Sequence, residues 1–429
     1  MKLPLFLATA LTLSAPILAA DWPGFLGPTG AAVVKEAYIP LTWSEKENLA
    51  WKFQAPGPGS SSPIVIGAKV IFTCWSGYGD KESAKDPTKL QRHLICLNLA
   101  DGKKLWETVV PSAASEDPFE GFITEHGYAT HTPVSDGERI YAFFGKSGAY
   151  AFDMEGKQIW RTSLGTGSGS RRWGSGGSPI LYKDTVIFNA TDESKALFAL
   201  DKKTGKQLWK AGGDKIDLAY GTPSLMESGG RTDLVFAIAE EVWGLNPDTG
   251  KMRWFATHNL PGNISPCLIQ DKDRFYLYGG YPTQGSAAIK LGGQGDVTSS
   301  HILWTSKSSS YVPTPILHNG HLYVINDQGF ALCMEAATGK DVYRERAIES
   351  GGGRGRGKPF YASPVLIGDR LYCVSRRGGT YVIAAKPTFE KLAHNVIAGD
   401  DTQFHATPAV VGDRLILRSE QAVYCIRGQ

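Results

Sequence analysis

Eight times along the chain a Ser-Pro or Thr-Pro pair opens a short apolar run: Ser62-Pro63, Thr132-Pro133, Ser178-Pro179, Thr222-Pro223, Ser265-Pro266, Thr314-Pro315, Ser363-Pro364 and Thr407-Pro408. The prolines recur every 43–49 residues after a longer first interval. That period suits a propeller blade rather than a helix-pair solenoid. Proline at the first residue of a strand breaks no ladder hydrogen bond, so each pair marks a strand start.

A second signal recurs through the chain: an apolar strand, a turn containing Gly, then an aromatic residue. LFALDKKTGKQLW ending at Trp209 is the clearest copy, echoed at Trp106, Trp160 and Trp254. The turn glycine supplies the positive φ that closes a hairpin. Short apolar runs such as Val186-Ile187-Phe188, bounded by Gly-Asp turns, fill the space between, giving four strands per repeat. The fold class is therefore all-β: a single eight-bladed propeller of four-stranded antiparallel blades, with seven blades as the fallback. After Pro408 only three strands remain before Gln429. The fourth is available at the other end, in residues 48–53, where Trp51 takes the place of Trp106 or Trp209. This N-terminal strand is expected to complete the last blade and remove the open sheet edges. Tyr343 stands at the aromatic position of the sixth blade and Leu392 at that of the seventh.

Residues 1–20 read as a secretory signal: Lys2, an apolar run from Leu3 to Leu13, and the small pair Ala19-Ala20. The run is shorter than the ~20 apolar residues of a spanning helix, and no later segment approaches that length. The expected product is a periplasmic or secreted domain, residues 21–429. Its net charge falls from +3 to +2 with the loss of Lys2, which gives no global electrostatic reason to bind nucleic acid. Cys96, Cys333 and Cys425 share one repeat position, held elsewhere by Ala151, Ala199 and Gly244. Buried structural thiols are expected there, with one or more disulfide bridges as the alternative.

These repeats resemble the pyrroloquinoline-quinone repeat family, which includes quinoprotein alcohol dehydrogenases and outer-membrane assembly factors of the BamB type. The opening Asp21-Trp-Pro-Gly-Phe-Leu-Gly-Pro28 is similar to the start of exported quinoprotein-like propellers of planctomycetes. For dehydrogenase members the resemblance implies a quinone held between a Trp and a disulfide of adjacent cysteines, with calcium on acidic and amide side chains. No two cysteines here are adjacent. The expectation is a monomeric binding or scaffold protein with no cofactor, engaging a protein, peptide or glycan. A quinone-dependent oxidoreductase acting on alcohols or sugars, with calcium, is the alternative.

Strand alternation puts the long loops on one face. Residues just before each Ser/Thr-Pro are expected to ring the channel mouth there: Thr130, His131, Trp173, Tyr220, Asn263, Tyr311, Tyr361 and His405, joined by His126. They either bind a ligand or pack together as a plug. A basic group on the same face, including Lys146, Arg171, Arg172, Arg354, Arg356, Lys358, Arg376 and Arg377, suits an anionic partner, or is simply solvated and offset by Glu116, Asp117, Glu120 and Glu125 in the neighbouring loop. Glu125, His126 and His131 lack the spacing of a metal motif, so no metal or catalytic residue is assigned.

Overall fold

The computed structural model describes residues 21–79, 86–112, 116–281, 283–348 and 358–428. The signal segment, Arg354 and Arg356 lie outside the described residues. Eight sheets follow one another around a central channel, and each contains an antiparallel four-stranded blade. Blade 3 is typical: Ile180–Tyr182 innermost, then Thr185–Ala190, Ala196–Asp201 and Gln207–Gly212 at the rim. The two middle strands are almost wholly buried, while the rim strand buries only its Trp209. Blade 8 comprises Ala409–Val411, Arg414–Arg418 and Ala422–Arg427, and its rim strand is Leu49–Gln54 from the start of the chain. Trp51 pairs there with Cys425. The ring closes on eight blades.

The Ser/Thr-Pro pairs stitch neighbouring blades together. The backbone N–H of Ser62 donates to Thr132 Oγ1 at 2.9 Å, that of Thr132 to Ser178 Oγ at 3.0 Å, and that of Ser178 to Thr222 Oγ1 at 2.9 Å. The relay resumes at Thr314 to Ser363 and at Ser363 to Thr407. Proline fixes the strand start, and the hydroxyl satisfies a buried N–H of the preceding blade that would otherwise cost free energy.

The rim tryptophans dock each blade on the next. Trp160 Nε1 donates to the Lys202 carbonyl at 3.1 Å, and Trp209 Nε1 to that of Pro247 at 3.0 Å. Both acceptors lie in the next blade's hairpin turn. A Cβ on the turn's Gly205 would fall 2.6 Å from the Trp160 ring, so this glycine must be bare as well as left-handed (φ 69°). Opposite the aromatic stands a small residue: Ala151 to Trp160, Ala199 to Trp209, Cys96 to Trp106, Cys333 to Tyr343. All six cysteines are free and buried, as the packing reading expects. In the seventh blade the register places Ala393, not Leu392, at the aromatic position, paired with Val382. Leu392 falls in the bulge that precedes every such position, where Leu105 and Leu208 also lie, half-exposed.

Residues 21–47 do something the repeat pattern does not announce. Trp22 exchanges two backbone hydrogen bonds with Val65 of blade 1, and the Pro23 carbonyl accepts from Ser135 of blade 2. Val33–Val34 then pairs in parallel with the innermost strand of blade 7, Val365–Ile367. The segment thus joins the inner strands of blades 1 and 2 to that of blade 7, with Phe25 facing the channel cavity.

Candidate functional site

The main cavity, about 160 Å³, occupies the channel between that N-terminal segment and the loop-rich face. Its wall is built in layers. The hydroxyl-bearing residues of the Ser/Thr-Pro pairs line it through Ser62, Thr132, Thr222 and Thr407, among others. Above them stand rings: Trp173 lies 4.7 Å from Phe122 and stacks on Tyr220 at 6.1 Å, and Tyr361 meets His405 edge-on at 5.6 Å. Each ring residue except Phe122 sits in the connection leading to a Ser/Thr-Pro pair, so strand entry itself aims these side chains at the axis.

The expected residues separate into three groups. His126, Trp173, Tyr220, Asn263, Tyr311, Tyr361 and His405 line the cavity. Arg171 is exposed and stacks on the Trp173 ring at 5.0 Å, while the exposed Arg172 takes a left-handed turn (φ 51°). Neither is part of the lining. His131 is the correction: although it precedes Thr132-Pro133, it lines a second, neighbouring cavity and packs on Phe143 at 4.7 Å. Successive residues of an extended chain point to opposite sides, and Thr130 takes the channel position that His131 leaves.

The polar groups differ in how they are satisfied. His126 Nε2 donates to the Trp173 carbonyl and Nδ1 meets Thr130 Oγ1, both at 2.7 Å, so the ring positions Trp173. Burial lowers the His126 pKa. His405 Nε2 and the Tyr220 hydroxyl are buried without a hydrogen-bond partner. Burial and the nearby Arg376 hold the His405 pKa well below its ordinary value, so this imidazole is neutral.

Three of the six described cations of the basic group are neutralised. Arg376 pairs with Glu125 and reaches Gln403 while stacking on Tyr361. Lys358 pairs with Asp327 at 3.2 Å and lies over Tyr311, and Lys146 pairs with Asp117 at 3.0 Å.

A quinone with calcium was tested against these residues. Trp173 and Asn263 are present, yet the lining carries no carboxylate among the described residues, and the six cysteines are separate and buried in the blades. Hydroxyls, rings and one amide do not fit the implied platform and calcium ligands. Glu125 and His126 are each committed to other partners.

A family model described as outer membrane protein assembly factor BamB matches residues 91–345. Among curated proteins, the BamB of Alkalilimnicola ehrlichii is 26% identical over 154 residues, 35% of this chain and 32% of that protein. A polyvinylalcohol dehydrogenase of Sphingopyxis is 26% identical over 254 residues, 49% of this chain and 35% of that protein. The match therefore spans about a third of the length of each of these relatives. The solved structure of BamB from Moraxella catarrhalis superposes with a TM-score of 0.61 at 14% identity, covering 87% of this chain and 95% of that one. At that identity the likeness is one of fold.

Proposed function

The chain belongs to the family of the outer membrane protein assembly factor BamB, and from that premise we propose that it is a binding propeller working outside the cytoplasm. In this reading it engages a protein or peptide on its loop-rich face and seats one ring-bearing group of that partner in the mouth cavity. The observation that carries the reading is a pair of buried polar atoms in an aromatic wall that have no hydrogen-bond partner among the described residues: Tyr220 Oη, and His405 Nε2, which lies 3.8 Å from Glu420 Oε1. An unmade buried hydrogen bond costs about 1–3 kcal/mol, and a ligand that completes both recovers that cost. Stacking on Trp173 and Tyr220 supplies the apolar part of the affinity.

The likeness to a polyvinylalcohol dehydrogenase favours a second reading, a quinone-dependent oxidoreductase. The donor set of the cavity argues against it. One experiment separates the two. Peptides selected from a display library on the intact protein should quench tryptophan fluorescence, and Trp173→Ala should weaken them at least tenfold. Pyrroloquinoline quinone with calcium should show neither micromolar binding nor dye-linked oxidation of alcohols or aldoses. Saturable quinone binding lost in Trp173→Ala, with turnover, would make the protein an enzyme.

A further inference from the structure

The second cavity, about 30 Å³, lies beside the first and shares Thr130, Gly174 and Ser175 as a wall. Its floor is a single helical turn, Thr191–Ser194, between the two middle strands of blade 3. Asp192 and Glu193 on that turn are both 5% exposed. Glu193 Oε1 accepts from Ser175 Oγ at 2.5 Å, and the same hydroxyl lies 3.0 Å from His131 Nε2. The remaining oxygens, Asp192 Oδ1 and Oδ2 and Glu193 Oε2, are buried with no hydrogen-bond partner.

The charges around them do not balance. Arg92 is matched by Glu116 at 2.9 Å and Lys146 by Asp117 at 3.0 Å. Among the described residues Asp192 and Glu193 have no cation of their own, and Asp217 adds further negative field at Asp192. Two uncompensated carboxylates in a buried site are costly unless something positive enters or protons are taken up. Room for about one water-sized group limits the entrant. Calcium seeks six to eight oxygen ligands and magnesium a regular octahedron, more than three oxygens supply. An –NH₃⁺ head carries three donors and no acceptor, one for each bare oxygen.

We propose that this cavity binds a primary ammonium group, whose three N–H bonds are donated to Asp192 Oδ1, Asp192 Oδ2 and Glu193 Oε2. The site does not depend on what occupies the channel mouth. In the empty protein, burial and mutual repulsion push the Asp192 carboxyl up to about 8, and burial pushes Glu193 up to about 7. An arriving ammonium therefore displaces protons, and affinity rises between pH 6 and 8.5. Of the other groups facing the cavity, Arg92 is paired with Glu116 and Lys146 with Asp117, and burial keeps His131 neutral.

Methylammonium, tetramethylammonium and calcium chlorides, each titrated into the intact chain at constant ionic strength, test the proposal. Methylammonium should bind saturably by calorimetry, releasing protons to the buffer and raising the melting temperature. Asp192→Asn should weaken it at least tenfold, and the double variant with Glu193→Gln should abolish it. Protected N–H signals of ¹⁵N-methylammonium on the wild type provide a readout that needs no variant to fold. An equal response to tetramethylammonium, which has no N–H, overturns the proposal. So does saturable calcium binding in preference to methylammonium, undiminished binding to the double variant, or the absence of protected signals.

Discussion

Each rim tryptophan is explained by a glycine in the following blade. Trp51, Trp106, Trp160, Trp209 and Trp304 each lie on a turn glycine of the next blade, namely Gly102, Gly156, Gly205, Gly250 and Gly339. Where that turn is missing, the aromatic changes. Blade 5 replaces its short turn with residues 291–301, and Trp254 swings back over Gly244 to donate to Asp233 Oδ2 at 2.8 Å. The turn of blade 7 has Phe389 instead, and Tyr343 packs on it edge-to-face at 5.8 Å. Blade 8 has no such turn, because its rim strand comes from the other end of the chain, and the residue facing it is Ala393. The sequence showed the tryptophans and the glycines, but their pairing joins residues some forty positions apart in different blades. Trp209→Ala should lower stability by roughly 3–5 kcal/mol, the range for deleting a large buried aromatic. Urea denaturation measures this, and a loss below ~1 kcal/mol would mean the ring carries no packing load.

The acids of blade 3 give a second expectation at this scale. Their folded pKa values, about 8 for Asp192 and about 7 for Glu193, lie above ordinary carboxylate values. The folded protein therefore holds protons that the unfolded chain releases, and stability falls as pH rises through that window. His131, pressed down to about 3 by burial, acts oppositely and costs stability only as pH falls below its ordinary value. Melting temperature should drop between pH 6.5 and 8.5 in the wild type. It should stay level in Asp192→Asn/Glu193→Gln, and an equal drop in both would remove the assignment. Nothing in the composition of Thr191-Asp-Glu-Ser194 announces that its two acids are buried.

Among the elements, the strand over residues 48–53 was legible because it copies the rim-strand pattern, Trp51 included. The crossing segment before it was not. It has no alternation, and its backbone pairs with inner strands of blades 1, 2 and 7 that no local pattern connects. The two parts make separate contributions. Deleting residues 21–53 should leave the Ala422–Arg427 edge unpaired and prone to aggregation. Light scattering and melting temperature report the effect, and a truncated chain that stays monomeric with unchanged melting would refute closure by this strand.

For the molecule as a whole, the mouth could be placed from sequence because residues ahead of each Ser/Thr-Pro must approach the axis. Its electrostatics were legible only in outline, as acids offsetting a basic group, without the individual pairs. Arg376 and Glu125 stand 251 residues apart, and only the closed ring brings them together. Arg418 in blade 8 makes the same kind of long reach, donating to the Ser61 and Thr73 carbonyls with its guanidinium over Phe72.

The seam between Leu49–Gln54 and Ala422–Arg427 also imposes an order in time. A ribosome makes the rim strand of blade 8 before any other blade strand and its partner after all of them. Throughout elongation the early strand has a row of N–H and C=O groups with no neighbour to receive them. Ring closure is thus the slow, non-local step of a topology whose other pairings are mostly between neighbours. A chain interrupted within its last few residues would have completed seven blades and still have no mate for the strand it made first.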